Sequence, residues 1–193
     1  MSEATKGSGL VLVGYRGTGK STVGRLLAER TGRTFFDVDD EIVARAGRTI
    51  RAIFEESGEP VFRELEEAVV RDLTKTHPGA VLGTGGGTIL RESNRQALRS
   101  FGLVAWLRAE ADELARRLEA DAITREHRPA LTSKGTLEEI VEVLAYRTPF
   151  YEEVAHVAVD AQTHGPAEVA DLILDHWKPS KGQTLAEGAP SCS

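Results

Sequence analysis

The residues best equipped for chemistry are Gly14-Tyr15-Arg16-Gly17-Thr18-Gly19-Lys20-Ser21, which fill the pattern G-x-x-x-x-G-K-[ST]. Each part answers a need of a bound polyphosphate. Glycines let successive backbone N–H groups converge on phosphate oxygens at a helix N-terminus. Lys20 adds a mobile positive charge for the β and γ phosphates. Ser21 offers a hydroxyl to Mg²⁺, an ion that prefers oxygen ligands and keeps several waters. Taken alone, such a run could be a glycine-rich turn with a solvated lysine. Its flanks decide, because an apolar run at 10–13 precedes it and Val23, Leu26 and Leu27 follow at helical spacing. The sequence predicts a nucleoside triphosphate site.

Two further clusters fall just past apolar runs, where the ends of parallel strands face a ligand crevice. In Phe36-Asp37-Val38-Asp39-Asp40, strand alternation would put Asp37 and Asp39 on one side, for metal-water ligation and orientation of an acceptor hydroxyl. Helix capping is the competing use, and Asp40 is its better candidate. Gly85, Gly86 and Gly87 follow a buried run directly. A tight turn needs one or two glycines, so three point to a close approach of backbone to ligand, with a flexible loop as the plain alternative.

The elements that must position these residues alternate apolar and amphipathic runs, as in a parallel sheet wrapped by helices. Strands are predicted at 10–13, 34–38, 80–82, 103–107 and 157–160. Helices are predicted from Val23 up to Gly32 and at 41–46, 49–56, 60–73, 93–99, 112–118, 137–146 and 166–173. The fold class is therefore α/β, a five-stranded parallel sheet with helices on both faces. One domain over 1–178 accounts for the whole pattern, with a polar tail at 179–193 that has almost nothing to bury. Residues 121–135 hold no sustained period and read as an exposed flap that closes over a site.

Composition narrows the partners. The 193 residues carry 24 Lys and Arg against 30 Asp and Glu, a net charge of −6, which argues against nonspecific nucleic acid or anionic membrane binding. One cysteine, Cys192, makes neither an intrachain disulfide nor a thiolate cluster. With no long apolar stretch and no signal-like N-terminus, the expectation is a cytoplasmic protein acting on small molecules, as a monomer.

Six segments in order and with compatible spacing resemble the shikimate kinase family of small P-loop kinases, with the nucleoside monophosphate kinase fold. They are GYRGTGKST at 14–22, FDVD at 36–39, FRELE at 62–66, GGG at 85–87, REHRPAL at 125–131 and YRTPFY at 146–151. The resemblance runs over about 10–174 and implies transfer of the ATP γ-phosphoryl group to the 3-hydroxyl of shikimate. It implies that Asp39 holds the acceptor hydroxyls and takes the proton, that Asp37 reaches Mg²⁺ through water with Ser21 beside it, and that Arg63 and Arg147 grip the carboxylate next to Gly85, Gly86 and Gly87. Helices at about 39–73 would form the substrate-binding region. ATP contacts would come from Gly17, Thr18, Gly19, Lys20, Ser21, Thr22 and the flap's Arg128, so that the catalytic set is Asp39, Lys20 and Arg128.

Guanidinium suits this task because its planar fork matches a carboxylate bidentately. Read without the resemblance, Arg63 is an ordinary surface partner of Glu59, Glu66 or Glu67, Arg147 follows a helix whose C-terminus a cation suits, and Arg128 is a solvated loop charge. One departure concerns adenine. The family often places an arginine before a proline after strand five, where this chain has Thr163-His164-Gly165-Pro166. His164 could stack there instead, with Arg117 on the opposite face. Two other readings stay open: a small-acid or sugar kinase of the gluconate type, and a nucleotide-binding module without turnover.

Overall fold

Residues 9–13 are buried at every position, as a strand covered by helices on both faces must be. They form the middle of the sheet. The computed structural model describes residues 8–120 and 136–177. In chain order it contains β1 Gly9–Val13, α1 Lys20–Thr31, β2 Phe35–Asp37, α2 Val38–Ala46, α3 Ile50–Thr76, β3 Val81–Gly83, α4 Glu92–Phe101, β4 Gly102–Arg108, α5 Ala111–Ala120, α6 Thr136–Val154, β5 Val157–Asp160 and α7 Pro166–His176. The strands pair in parallel in the order β2-β3-β1-β4-β5. This is the α/β sheet expected from the alternation of runs.

Alternation along β1 divides the core in two. Val11 and Val13 pack with Val38 and Ile42 of α2, Val69, Val70 and Leu73 of α3, Leu98 of α4 and Tyr151 of α6. Leu10 and Leu12 face the other side, against Val23 and Leu27 of α1 and Val169, Ala170 and Ile173 of α7. Each such side chain contributes about 1.5–3 kcal/mol relative to exposure. Truncating Leu12 to Ala would cost about 2–5 kcal/mol, the lost transfer energy of the removed atoms plus a term for the cavity left behind.

Local chemistry moves several element boundaries. Strand two stops at Asp37 because Asp37 is itself the N-cap of α2, its Oδ1 accepting from the Asp39 amide at 3.1 Å. Asp40 is therefore not the cap. Asp39 lies in the first helical turn, so strand alternation does not relate it to Asp37. The stretches expected at 49–56 and 60–73 are both present within α3, which breaks at Gly58 (φ 78°, ψ 169°) just before Pro60. Helix α6 runs past its expected end at 146, through Pro149 to Val154, which places Arg147 inside a helix rather than after one. Full burial of Tyr151 and Val154 against the sheet outweighs the hydrogen bond that the proline removes. The flap at 121–135 with Arg128, and the tail at 179–193 with Cys192, lie outside the described residues.

Candidate active site

The phosphate loop joins β1 to α1. Gly17 and Gly19 take φ of 82° and 87°, values that a side chain would resist, and this turn aims the first amides of α1 into the crevice. Gly19 is the N-cap and supplies no side-chain partner to the helix start. Lys20 Nζ donates to the carbonyls of Gly14 and Tyr15 at 2.8 and 2.7 Å and reaches Thr18 Oγ1 at 3.4 Å. Ser21 Oγ donates to Asp37 Oδ2 at 2.7 Å. The loop and the end of strand two thus bring together a hydroxyl and a carboxylate, an all-oxygen pair suited to Mg²⁺. Thr22, at the next position of α1, is exposed.

Beside the loop opens a cavity floored by Gly85, Gly86 and Gly87 and walled by Asp39, Arg63, Glu66 and Arg147, with Ile50, Phe54 and Phe62 as its apolar side. Among these glycines none has a positive φ, so backbone freedom does not explain them. Space does. A Cβ on Gly85 would sit 2.8 Å from Asp39 Oδ1, one on Gly86 3.3 Å from Arg147 Nη1, and one on Gly87 2.6 Å from Arg63 Nη2. The run is a strip of bare backbone on which three site side chains lie in order.

Each guanidinium is held. Arg63 donates to Glu66 Oε2 at 2.8 Å and to Glu59 Oε1 at 3.0 Å, and Glu66 in turn accepts from Thr88 Oγ1 at 2.6 Å. Burial works against the Arg63 charge, but the Glu66 carboxylate and the hydrogen bonds to Glu66 and Glu59 hold the guanidinium above its ordinary pKa. Arg147 is 8% exposed, and its Nε has no hydrogen-bond partner among the described residues. A buried donor left so is costly in isolation and inexpensive once a carboxylate arrives. Tyr151 donates to the Gly86 carbonyl at 2.6 Å and stacks on Trp106, which ties the glycine strip to α6. Burial raises the Tyr151 phenol well above its usual range against the lowering influence of Arg147, so it stays neutral as a donor.

On the far side of the loop, Arg117 Nη2 donates to the Ala161 carbonyl at 2.8 Å, and its Nη1 lies 3.4 Å from the Gly17 carbonyl. It spans the phosphate loop and the segment after β5. His164 is exposed in that segment, its Nδ1 3.1 Å from both Thr163 Oγ1 and the Asp160 carbonyl. Among the described residues its ring stacks on no aromatic side chain.

The family model described as shikimate kinase matches residues 16–178. The chain belongs to the shikimate kinase family. It is 42% identical over 182 residues to a shikimate kinase of Thiobacillus denitrificans, covering 94% of this chain and 97% of that one. A shikimate kinase from Acinetobacter baumannii, solved in complex with shikimate, superposes with a TM-score of 0.81 at 36% identity, covering 89% of this chain and 93% of that one. A gluconokinase from Sinorhizobium meliloti, at 21% identity and a TM-score of 0.54, shares the fold and no more.

Within this shikimate kinase scaffold, sequence reasoning overlooked three contributors. Glu66 was visible only as a surface partner of Arg63, yet it is 1% exposed and fixes that arginine. Helical spacing offered a faint signal, because α3 buries position 66 in the same stripe as 62, 69 and 73. Tyr151 was quoted in YRTPFY but given no role. Arg16, at an open position of the phosphate-loop pattern, had no signal at all and lines the cavity too.

Proposed function

We propose that shikimate lies on the glycine strip, its carboxylate forked by Arg63 and Arg147, while the phosphate loop holds ATP with its γ phosphorus towards Asp39. The reaction is the family's, ATP-dependent phosphorylation of the shikimate 3-hydroxyl. In it the acceptor oxygen bonds to the γ phosphorus, the bond to the β–γ bridging oxygen breaks, and ADP leaves. Asp39 takes the hydroxyl proton. Lys20 and Arg128 offset the charge growing on the phosphoryl oxygens, and an arginine in that role is worth about 10³–10⁵ in rate in other P-loop enzymes. Ile50, Phe54 and Phe62 supply an apolar wall for the carbon ring.

Ser21 and Asp37 are the residues that would hold Mg²⁺, and the donor set fits, since this ion binds through one or two protein oxygens plus phosphates and water. Among the described residues there is no group of three or more acidic or histidine ligands, which a dedicated metal cage would need. When bound, the ion supplies neutralisation of phosphate charge. Arg117 and His164 would flank adenine. The proposal takes the enzyme as a monomer in the cytoplasm. Among the described residues no helix is long and apolar enough to cross a membrane.

The observation that carries this reading is the ordered meeting of Asp39, Arg147 and Arg63 on three successive glycines. Purified protein with Mg·ATP should release ADP when shikimate is added and not when gluconate is. Turnover of gluconate alone would favour the sugar-acid reading, and tight ATP binding without acceptor-stimulated ADP release would favour a module without turnover.

A further inference from the structure

The phosphate loop touches helix α6 through a pair that the reaction as described does not use. Arg16 Nη2 donates to Glu139 Oε1 at 2.8 Å. Glu139 sits in the first turn of α6 and is 2% exposed. An ionised carboxylate this deep needs well-placed counter-charge, and Arg16 supplies some of it. Arg16 is locked beside the Tyr15 ring, its Cζ 5.7 Å from the centroid, and its Nε is buried without a partner among the described residues. The same helix carries Arg147 two turns further on and Tyr151 a turn beyond that, where its hydroxyl holds the Gly86 carbonyl. One helix therefore meets the phosphate loop at Arg16 and the acid cavity at Arg147 and Gly86.

We propose that the Arg16–Glu139 pair is a positioning device that fixes the phosphate loop to α6 and so sets the gap between phosphoryl donor and acceptor. The inference rests on the proposed placement of the two substrates. Each half of the site is complete without the pair: the loop binds phosphates through its own amides and Lys20, and the acid binds through Arg63, Arg147 and Asp39. The sheet ties the roots of the two halves, where Thr84 donates to the Leu12 carbonyl, and the Arg16–Glu139 pair adds a second tie at the phosphate loop itself. Reacting atoms must come within about 3–3.5 Å, and a misplacement of about 1 Å can lower the rate on the order of 10²-fold. Arg16 and Glu139 are positioning residues in this scheme, and their loss should appear in kcat.

The test is steady-state kinetics of the intact enzyme with both substrates varied, for Arg16→Met, Glu139→Gln, the double variant and Arg16→Lys, alongside thermal denaturation of each. Each neutralising single change should lower kcat by roughly 10–100-fold while both KM values stay within about threefold. The double variant should be no slower than the worse single, as expected of two residues acting as a unit. Arg16→Lys keeps a cation against Glu139 and a fold that the methionine variant could lose, and should recover a large part of kcat. Three results overturn the proposal: a rise in the acid KM alone for Arg16→Met, which would make Arg16 a direct acid ligand; unchanged kcat with only a lower melting temperature; or Arg16→Lys as slow as Arg16→Met. Wild-type turnover of shikimate in the same assay separates failure of this proposal from failure of the substrate assignment.

Discussion

The two halves of the site are built in opposite ways. The phosphate cradle is one unbroken segment, residues 14–22, and in the proposed reading its backbone amides do most of the phosphate binding. The acid cavity draws Asp39 from the start of α2, Arg63 and Glu66 from α3, a backbone strip from the loop after β3, and Arg147 from α6, with Arg16 of the phosphate loop at its edge. The cradle depends on main-chain conformation, the cavity chiefly on side chains that three helices deliver onto a backbone strip. A contiguous site tolerates shifts of the surrounding packing, because its atoms move together. A composite one registers each shift as a change in distance between groups that must grip a single ligand.

Substitutions on either side should keep that division visible. The largest effect is expected for Asp39→Asn, which keeps shape but removes the proton acceptor: kcat should fall on the order of 10³-fold with ATP affinity nearly intact. Normal turnover in that variant would remove Asp39 from the chemistry. Lys20→Ala strikes the other half, and nucleotide affinity and turnover should drop together, by roughly 10²–10³-fold in kcat/KM for ATP. Isothermal titration with ADP beside the rate assay separates the two patterns.

Within the cavity, Arg147→Lys keeps the charge and loses the fork, so the acid KM should rise roughly 10–100-fold while kcat changes little. Gly87→Ala places a methyl 2.6 Å from Arg63 Nη2, and since crowding of this kind costs about 1–3 kcal/mol, a rise in the acid KM of about tenfold is expected with the KM for ATP unmoved. Equal change in both KM values would mean that the halves are not separable. The smallest effect concerns Glu113, whose carboxyl is lowered to about 2 by hydrogen bonds from Arg116 and Arg117. A depressed acid stabilises the fold above its unfolded pKa and loses that contribution as pH falls towards its folded value. The melting-temperature gap between wild type and Glu113→Gln should therefore be widest near neutrality and narrow as pH drops below about 4.5.

How legible each half was follows from the same difference. The order and type of the elements could be read from apolar runs and their periods, as could the whole phosphate loop, because those signals are local. The boundaries near the site could not. Whether Asp37 extends a strand or caps a helix turns on a hydrogen bond to the Asp39 amide, and either choice fits the string FDVDD. Arg147 was read as a cation just past a helix ending at 146, whereas the helix runs on through Pro149 to Val154, where Tyr151 and Val154 are buried. The three glycines were singled out for a close approach of backbone to ligand, whereas their crowding by side chains from positions 39, 63 and 147 is something no window along the chain contains.

Sequence alone determined the α/β class, the nucleotide cradle and the residue types that any acid-gripping site would need, since each depends on neighbours a few positions apart. Tertiary structure decided which arginine meets which carboxylate. It buried Glu66 under Arg63 and set Glu139 against Arg16, 123 positions away. Charge pairing in a low-dielectric interior depends on distance and desolvation, and only the folded chain defines either.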